Sequence, residues 1–353
     1  MQLSNQQKQA LHQIYSGLND EHLTEQTLGG YAGTGKTTLI SYLTKFFPDY
    51  GVCAYTGKAA NVLRTKGMHG ATTIHSRIYE PKFNKGIVYF DLKANPNCDG
   101  FIVDEASMVS KEIYQDLKIF GLPLIFVGDH GQLEPVDSDF NLMASPMYRL
   151  EEIHRNAGTI ARYAEHLRFG YAARGYRDPQ SNKVEFLSNK QVTDDLLTSV
   201  DQVICAYNAT RVAYNDRIRS ALGFSGGVKV GERVMCLRNN MELNLFNGMQ
   251  GTIVSMYKGK RGRQFMDFDF DGNVLAGIPL CMKQFGQEKY NIKHGKGTNN
   301  PFDFAYCITC HKAQGDEWGD ILVIEQKCRK WDHRRWAYTA ASRARNKLWW
   351  KLA

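Results

Sequence analysis

The first half of the chain alternates short apolar runs with amphipathic segments, and a polar or glycine-bearing turn follows each run. The runs cover residues 26–28, 51–55, 100–103 and 122–127. Residues 4–18 place apolar side chains at helical spacing, with Ser4 as N-cap and Gln7 at the position that completes a capping box. Short buried strands that alternate with helices predict a parallel α/β sheet.

A second α/β alternation begins near residue 151, with a predicted strand over 200–206 and a predicted helix over 209–222. Two further buried strands are expected at 303–309 and 320–324, and a basic helix over 331–345 closes the chain. In the first half, residues 81–90 predict a small β-hairpin with its turn at 84–86.

Between residues 228 and 303 the pattern changes to short strands separated by glycine turns. The predicted strands cover 228–237, 250–257, 263–270 and 273–280. This pattern predicts a small SH3-like β-barrel inserted into the second α/β unit. The expected domains are 1–76 with 100–150, a hairpin insertion at 77–99, 151–227 with 304–353, and the barrel at 228–303.

The segment GYAGTGKT at residues 30–37 matches the phosphate-binding pattern G-x-x-x-x-G-K-S/T between a predicted strand and a predicted helix. Its backbone amides and the helix N-terminus favour a bound triphosphate. Lys36 is expected to reach the β- and γ-phosphates of ATP, and the Thr37 hydroxyl is expected to bind Mg²⁺. The predicted nucleotide contacts are Gly30, Ala32, Gly33, Thr34, Gly35, Lys36, Thr37 and Thr38.

Two further strand ends carry polar residues that belong to the same edge of the sheet. The strand at 100–103 runs into Asp104 and Glu105, so Asp104 is expected to hold Mg²⁺ and Glu105 to orient or deprotonate the attacking water. The segment at 126–133 places Gln132 after the next strand, where it is expected to sense the γ-phosphate.

Composition adds two constraints. The net charge of +8 favours a polyanionic partner. The eight cysteines are scattered, and the single C-x-x-C at 307–310 has no second pair, which favours buried free thiols in a reducing, cytoplasmic compartment over a zinc site. The polar start of the sequence does not resemble a signal peptide, and no membrane span is expected.

Together these segments resemble a superfamily 1 helicase, and most closely the RecD/Dda-like 5′-to-3′ branch. The resembling segments are LSNQQ (3–7), GYAGTGKT (30–37), YTGKAA (55–60), TTIHS (72–76), DEAS (104–107), GDHGQL (128–133), LEEIHR (150–155), NGMQG (247–251), ITCHKAQGDE (308–317) and YTAASRA (338–344). Their order along the chain is that of the family.

The resemblance implies two RecA-like motor domains that share one ATP. It implies that Gln7 reads the adenine, that Arg155 contacts the γ-phosphate and that Arg343 is an arginine finger. It adds three residues of the 308–317 segment to the nucleotide contacts: Gln314, Gly315 and Glu317.

The implied partners are single-stranded DNA and duplex junctions, and we expect a monomer. Single-strand binding requires a basic groove with aromatic stacking platforms. The expected contacts are Thr56, Gly57, Lys58, Thr73, His75, Phe83, Asn208, Thr309, His311 and Lys312.

The resulting hypothesis is an ATP-dependent DNA helicase or translocase. Two alternatives remain open: an RNA-directed superfamily 1 helicase, because no residue clearly reads or excludes a 2′-hydroxyl, and a clamp whose ATP cycle only gates its affinity for a single strand. A small-molecule P-loop kinase is disfavoured, because it would not need a second α/β unit that supplies Arg343.

Overall fold

The computed structural model describes residues 3–18, 23–84, 87–134, 140–153, 158–176, 182–238, 240, 243, 245–270, 272–289, 300–327 and 331–353. Within these ranges, no helix is long and apolar enough to cross a membrane. The described cysteines are free thiols, as expected, with Cys98 and Cys281 partly exposed.

The first half of the chain forms a parallel sheet, which together with its helices we call lobe 1. Its elements are α1 (Asn5–Leu18), β1 (Glu25–Gly30), α2 (Lys36–Phe46), β2 (Tyr50–Ala54), α3 (Gly57–Thr65), β3 (Thr72–Thr73), α4 (Ile74–Ile78), β4 (Tyr79–Asn84), β5 (Ile87–Leu92), β6 (Gly100–Asp104), α5 (Lys111–Ile119), β7 (Leu124–Gly128) and β8 (Tyr148–Leu150). The sheet order is β3-β2-β6-β7-β1-β8.

Continuous apolar runs form the central strands of lobe 1 because both faces of the sheet are covered. Along β6, Ile102 packs into one core while Phe101 and Val103 pack into the core on the opposite face. Helix α1 starts where the sequence predicts: the Ser4 N–H donates to Gln7 Oε1 at 3.0 Å, and the Gln7 N–H donates to Ser4 Oγ at 3.3 Å. These two bonds are the predicted capping box.

The second parallel sheet, with its helices, is called lobe 2. Its elements are α6 (Gly158–Arg168), β9 (Val184–Leu187), α7 (Asp194–Ser199), β10 (Gln202–Cys205), α8 (Asn208–Ala221), β16 (Cys307–Thr309), β17 (Trp318–Ile324), α9 (His333–Ala341) and β18 (Ala344–Lys351). The sheet order is β16-β10-β17-β18-β9, and each of these pairings is parallel.

Two antiparallel units interrupt the lobes. Strands β4 and β5 pair with each other in lobe 1, and the turn between them lies outside the described residues. The inserted sheet of lobe 2 has the order β14-β13-β12-β11-β15. Its strands are β11 (Arg233–Cys236), β12 (Gln250–Lys258), β13 (Gln264–Phe270), β14 (Asn273–Pro279) and β15 (Phe302–Phe304).

Two expectations about single elements were wrong. The run 303–309 is two strands, because Phe302 and Phe304 turn into the core of the inserted sheet whereas Cys307 packs in lobe 2. The predicted helix 331–345 ends at Ala341, and residues 344–351 form β18. Leu348 and Trp350 are buried at alternate positions of that segment, which is the period of a strand rather than of a helix.

Candidate active site

The phosphate-binding loop lies between β1 and α2, as the sequence predicts. Gly33 and Gly35 both have φ of 80°, in the left-handed region where glycine carries no steric cost. A Cβ atom at Gly30 would stand 2.7 Å from Thr34 Oγ1 and 3.0 Å from Lys36 Cγ, so this position accepts only glycine without movement. The conformation of the loop therefore depends on glycine at these three positions.

The Lys36 ammonium group stays inside this loop. Its Nζ donates to the carbonyl oxygens of Gly30 at 2.8 Å and Tyr31 at 3.1 Å. It also lies 3.8 Å from Asp129 Oδ2, a carboxylate at the end of β7. Thr37 and Thr38 follow in the first turn of α2 and are partly buried.

Asp104 and Glu105 stand at the carboxyl end of β6, beside the loop. Glu105 has φ of 54°, an unusual conformation for a residue other than glycine, and its N–H donates to Asp104 Oδ1 at 2.9 Å. Burial raises the pKa of Asp104. Burial and the neighbouring Asp104 raise the pKa of Glu105 to about 7, while the charges of Arg343 and Lys36 oppose that rise.

The Asp129 carboxylate accepts hydrogen bonds from residues of both lobes. Its side chain accepts hydrogen bonds from the Gly131 N–H at 2.9 Å, from Gln132 Nε2 at 3.3 Å and from the Tyr338 hydroxyl at 2.6 Å. Tyr338 belongs to α9, so this last bond joins the two lobes. Neither Asp129 nor Tyr338 was among the site residues predicted from the sequence.

The Tyr338 hydroxyl also contacts the phosphate-binding loop directly. It accepts a hydrogen bond from the Ala32 N–H at 2.6 Å while donating to Asp129. Burial and the neighbouring Asp129 carboxylate raise the pKa of Tyr338, which keeps the hydroxyl protonated and able to donate.

Further hydrogen bonds cross between the lobes next to Gln132. The Leu133 N–H donates to Thr339 Oγ1 at 2.9 Å, and the Leu133 carbonyl accepts from Gln314 Nε2 at 2.8 Å. Arg335 Nη1 donates to the Gln132 carbonyl at 3.1 Å. The loop after β7 is thus held by α9 and by the 308–317 segment at once.

Arg343 is buried in the turn after α9 rather than within a helix. Its guanidinium donates to the carbonyl oxygens of Asp316 and Thr339, each at 3.1 Å, and to Ser342 Oγ at 2.9 Å. Only 3% of its surface is exposed, which excludes a solvated surface charge. Its charge lowers the pKa of Glu105, against the larger effect of burial.

The polar atoms at this junction fit a bound nucleotide and cation. Glu105 Oε2 and Gln132 Oε1 are buried, and neither has a hydrogen-bond partner among the described residues. A buried acceptor without a partner is costly, so such atoms mark places where a ligand or water completes the site. Carboxylate and hydroxyl oxygens of Asp104 and Thr37 are the ligand type that Mg²⁺ prefers.

The remaining predicted nucleotide contacts are placed as follows. Gln7 is buried against the loop, and its Nε2 donates to the Thr34 carbonyl at 3.0 Å. Gly315 has φ of 79° and faces Met108 of lobe 1. Glu317 is exposed. Arg155 lies outside the described residues.

A cleft of about 530 Å³ lies between lobe 1 and the inserted sheet. Lobe 1 contributes Thr56, Gly57, Thr73 and His75, and lobe 2 contributes His311 and Lys312. All six are predicted nucleic-acid contacts. Burial lowers the pKa of both histidines and of Lys312.

Other lining residues of this cleft were not found from the sequence. They include Arg64 and Met108 of lobe 1 and Phe246, Met249 and Phe270 of the insertion. Phe246 is close to Gly57: its Cδ2 stands 3.9 Å from the Cβ atom that a side chain there would have. The NGMQG segment at 247–251 was the one available sequence signal for this wall.

Two other predicted nucleic-acid contacts in the described part of the chain, Asn208 and Thr309, are not in the lining of this cleft. Of the described residues, Thr309 is buried at the end of β16, and Asn208 is exposed with its Oδ1 accepting from Arg211 Nε at 3.1 Å. The side chains of Lys58 and Phe83 lie outside the described part of the chain.

Comparison with known families and proteins gives a consistent result. Residues 2–187 match the model described as an AAA domain, and residues 304–350 match a UvrD-like helicase C-terminal domain. The ATP-dependent RecD2 DNA helicase of Deinococcus radiodurans is 28% identical over 357 positions, covering 91% of this chain and 46% of that protein. The ATP-dependent DNA helicase dda of Enterobacteria phage T4 is 28% identical over 189 positions, covering 48% of this chain and 43% of that protein.

Solved structures agree on the fold. A Pif1 helicase from Bacteroides, in complex with ADP-AlF3 and ssDNA, superposes with a TM-score of 0.60 at 20% identity, covering 99% of this chain and 92% of that one. The α/β architecture with RecA-like motor domains is therefore confirmed. This chain spans less than half the length of the two curated relatives named above.

The match to more than half of the chain, together with the ordered motifs and the two sheets, shows that the protein belongs to the AAA-domain family and is of the RecD/Dda-like superfamily 1 helicase type.

Proposed function

We propose that this protein is an ATP-driven DNA helicase or translocase that moves 5′-to-3′ on single-stranded DNA and separates duplex at junctions. One observation carries the proposal: the hydroxyl of Tyr338 in lobe 2 bonds both the Ala32 amide of the phosphate-binding loop and the Asp129 carboxylate of lobe 1. Nucleotide bound in that loop therefore acts on both lobes at once.

In lobe 1, Lys36 leaves its carbonyl partners to bind phosphate oxygens, and Glu105 Oε2 accepts the proton of the attacking water. Thr37 and Asp104 would hold Mg²⁺, which when bound offsets the negative charge of the triphosphate. The remaining loop contacts are those predicted from the sequence, with Gln7 behind the loop as the adenine reader.

Lobe 2 supplies the groups that couple this chemistry to movement. Arg343 and Arg155 stabilise the charge that develops on the transferred phosphoryl group. Gln132 of lobe 1 senses the γ-phosphate, and Gln314 of lobe 2 transmits its position through the Leu133 carbonyl. Opening and closing of the lobes follows from making and breaking these contacts.

The cleft between lobe 1 and the inserted sheet is the proposed path of the single strand. Thr56, Thr73 and His75 line the cleft from lobe 1, and His311 and Lys312 line it from lobe 2. Phe246 supplies an aromatic face on which a base can stack. The β4–β5 hairpin with Phe83 is the proposed wedge at a duplex junction, and the inserted sheet is the proposed SH3-like barrel.

The test is ATP hydrolysis with and without poly-dT or poly-U. We expect stimulation by poly-dT, and Lys36→Ala and Glu105→Gln should each abolish it while the circular dichroism spectrum is unchanged. Lys45→Ala, on the exposed part of the same helix, and Glu112→Gln, at an exposed helix start, are matched controls that should keep activity.

Near-normal hydrolysis by Lys36→Ala or Glu105→Gln would overturn the proposed site. Stimulation by poly-U alone would favour the RNA-directed alternative. Hydrolysis without displacement of streptavidin from a biotinylated single strand would favour the clamp.

A further inference from the structure

Tyr31, the second residue of the phosphate-binding loop, is a lobe 1 residue whose side chain packs into the core of lobe 2. Its ring belongs to the same buried cluster as Tyr163, Trp336 and Trp350 of lobe 2. Only 9% of its surface is exposed. The phosphate-binding loop is thus packed into the opposite lobe through one aromatic side chain.

The cation that meets this ring is Arg168, the last residue of α6. Its guanidinium carbon lies 3.8 Å from the Tyr31 ring centroid and 4.3 Å from the Phe169 ring centroid. Arg168 Nε is buried and has no hydrogen-bond partner in the described part of the chain. The carboxylate of Glu165 is 3.6 Å from Arg168 Nη2, on the same helix. A guanidinium placed over an aromatic face and partly desolvated is held by the ring itself.

The Tyr31 ring has little room to move away from Arg168. The His130 ring lies with its centroid 4.1 Å away, and the Tyr338 ring meets it edge-on at 6.1 Å. A Cβ atom at Gly131 would stand 2.8 Å from Tyr31 Cε1 and 3.1 Å from Tyr338 Cε1. The ring is therefore fixed between the loop after β7 and lobe 2.

The backbone carbonyl of Tyr31 accepts several hydrogen bonds within the phosphate-binding loop. It accepts hydrogen bonds from Lys36 Nζ at 3.1 Å, from Thr34 Oγ1 at 2.8 Å and from the Thr34 N–H at 3.2 Å. A shift of the Tyr31 side chain therefore moves the lysine and the amides that bind phosphate.

We propose that Arg168 is a positioning residue for the ATPase site, which acts across the lobes by holding the Tyr31 ring and with it the phosphate-binding loop. It differs from Arg155 and Arg343, whose proposed role is direct contact with phosphate. The inference rests on the proposed function for its biological meaning. The contact between the Arg168 guanidinium and the Tyr31 ring is expected to control nucleotide affinity.

The test is a double-mutant cycle of Arg168→Ala and Tyr31→Leu, read out as the Kd for a fluorescent mant-ADP and as the KM for ATP in poly-dT-stimulated hydrolysis. Each single variant is expected to weaken mant-ADP binding about tenfold. The double variant should be no weaker than the singles, because both remove the same contact. The kcat should change less than the KM, because neither side chain touches the reacting atoms.

Three matched variants separate positioning from a loss of fold. Tyr31→Phe keeps the ring face and should bind mant-ADP within about twofold of the parent, since the cation contact needs no hydroxyl. Arg168→Lys should recover part of the affinity lost in Arg168→Ala. Arg174→Ala, an exposed arginine beyond the same helix, should leave binding unchanged.

Unchanged mant-ADP affinity in Arg168→Ala, or singles whose effects multiply in the double variant, would overturn the proposal. Failure of the proposed function gives a different result: the parent protein then hydrolyses no ATP, while the mant-ADP cycle still decides whether Arg168 positions the loop.

Discussion

The ion pair between Arg219 and Glu232 ties helix α8 of lobe 2 to the start of the inserted sheet. Both side chains are buried, with 7% and 0% of their surface exposed. Glu232 accepts from Arg219 Nε at 2.5 Å and from Nη2 at 3.1 Å, and the guanidinium lies 3.9 Å from the Phe304 ring centroid. The substitution Glu232→Gln keeps the shape of the side chain and removes its charge.

We expect Glu232→Gln to lower the free energy of unfolding by about 3–5 kcal/mol, because the guanidinium stays buried without its counter-charge. For a unit the size of lobe 2 with its insertion, each kcal/mol moves the thermal midpoint by about 2–4 °C. The expected decrease in Tm is therefore about 10 °C.

The assay is thermal unfolding followed by circular dichroism and by tryptophan fluorescence. The matched control is Asp194→Asn. It removes the charged partner of Arg217, which belongs to α8 like Arg219. That pair has a similar length, 2.6 Å, but its side chains are 42% and 58% exposed. An exposed pair contributes about 0–1 kcal/mol, so Tm should fall by no more than about 4 °C. Equal decreases in the two variants, or no decrease in Glu232→Gln, would refute the reasoning.

Two further predictions concern the cleft between lobe 1 and the inserted sheet, and the ring packing beside the phosphate-binding loop. Phe246→Ala should weaken binding of a labelled oligo-dT by about tenfold in fluorescence anisotropy, because one stacking platform is lost, and should leave ATP hydrolysis without DNA unchanged; equal affinity would remove Phe246 from the strand path. Gly131→Ala should reduce poly-dT-stimulated hydrolysis at least tenfold, because the new methyl group meets the Tyr31 and Tyr338 rings. Gly70→Ala, where nothing lies within 4 Å, is the control, and parallel activities in the two variants would count against this packing.

The sequence predicted the elements that carry a motif at the end of an apolar run. The phosphate-binding loop follows β1, and the Asp104–Glu105 pair ends β6, because the chemistry there depends on local order along the chain. Thr56, Thr73, His75, His311 and Lys312 were expected from the resemblance, and they line one cleft.

Contacts between the lobes could not be predicted in this way. In the sequence, Tyr338 is one aromatic residue of a basic helix. Its role depends on lobe 1, which places Ala32 and Asp129 within hydrogen-bond distance of its hydroxyl. Arg168 has no motif around it, and its partner Tyr31 is more than a hundred residues away along the chain. Such pairs form only when the two sheets pack against each other. The spacing of residues along a single sequence does not predict them.

The errors in element bounds have a similar cause. The basic residues from 334 to 345 extend the helical pattern past Ala341, but the pairing of β18 with β17 overrides that local preference. The 303–309 run divides because two separate cores each take a part of it.

The central claim is that the shared nucleotide site drives movement along a single strand. It is tested most directly by unwinding of a duplex that carries either a 5′ or a 3′ single-stranded tail, with ATP and with Glu105→Gln as the inactive control. We expect strand separation from the 5′-tailed duplex, none from the 3′-tailed duplex, and none with the variant. ATP hydrolysis without separation of either duplex, or separation from the 3′ tail alone, would contradict the account.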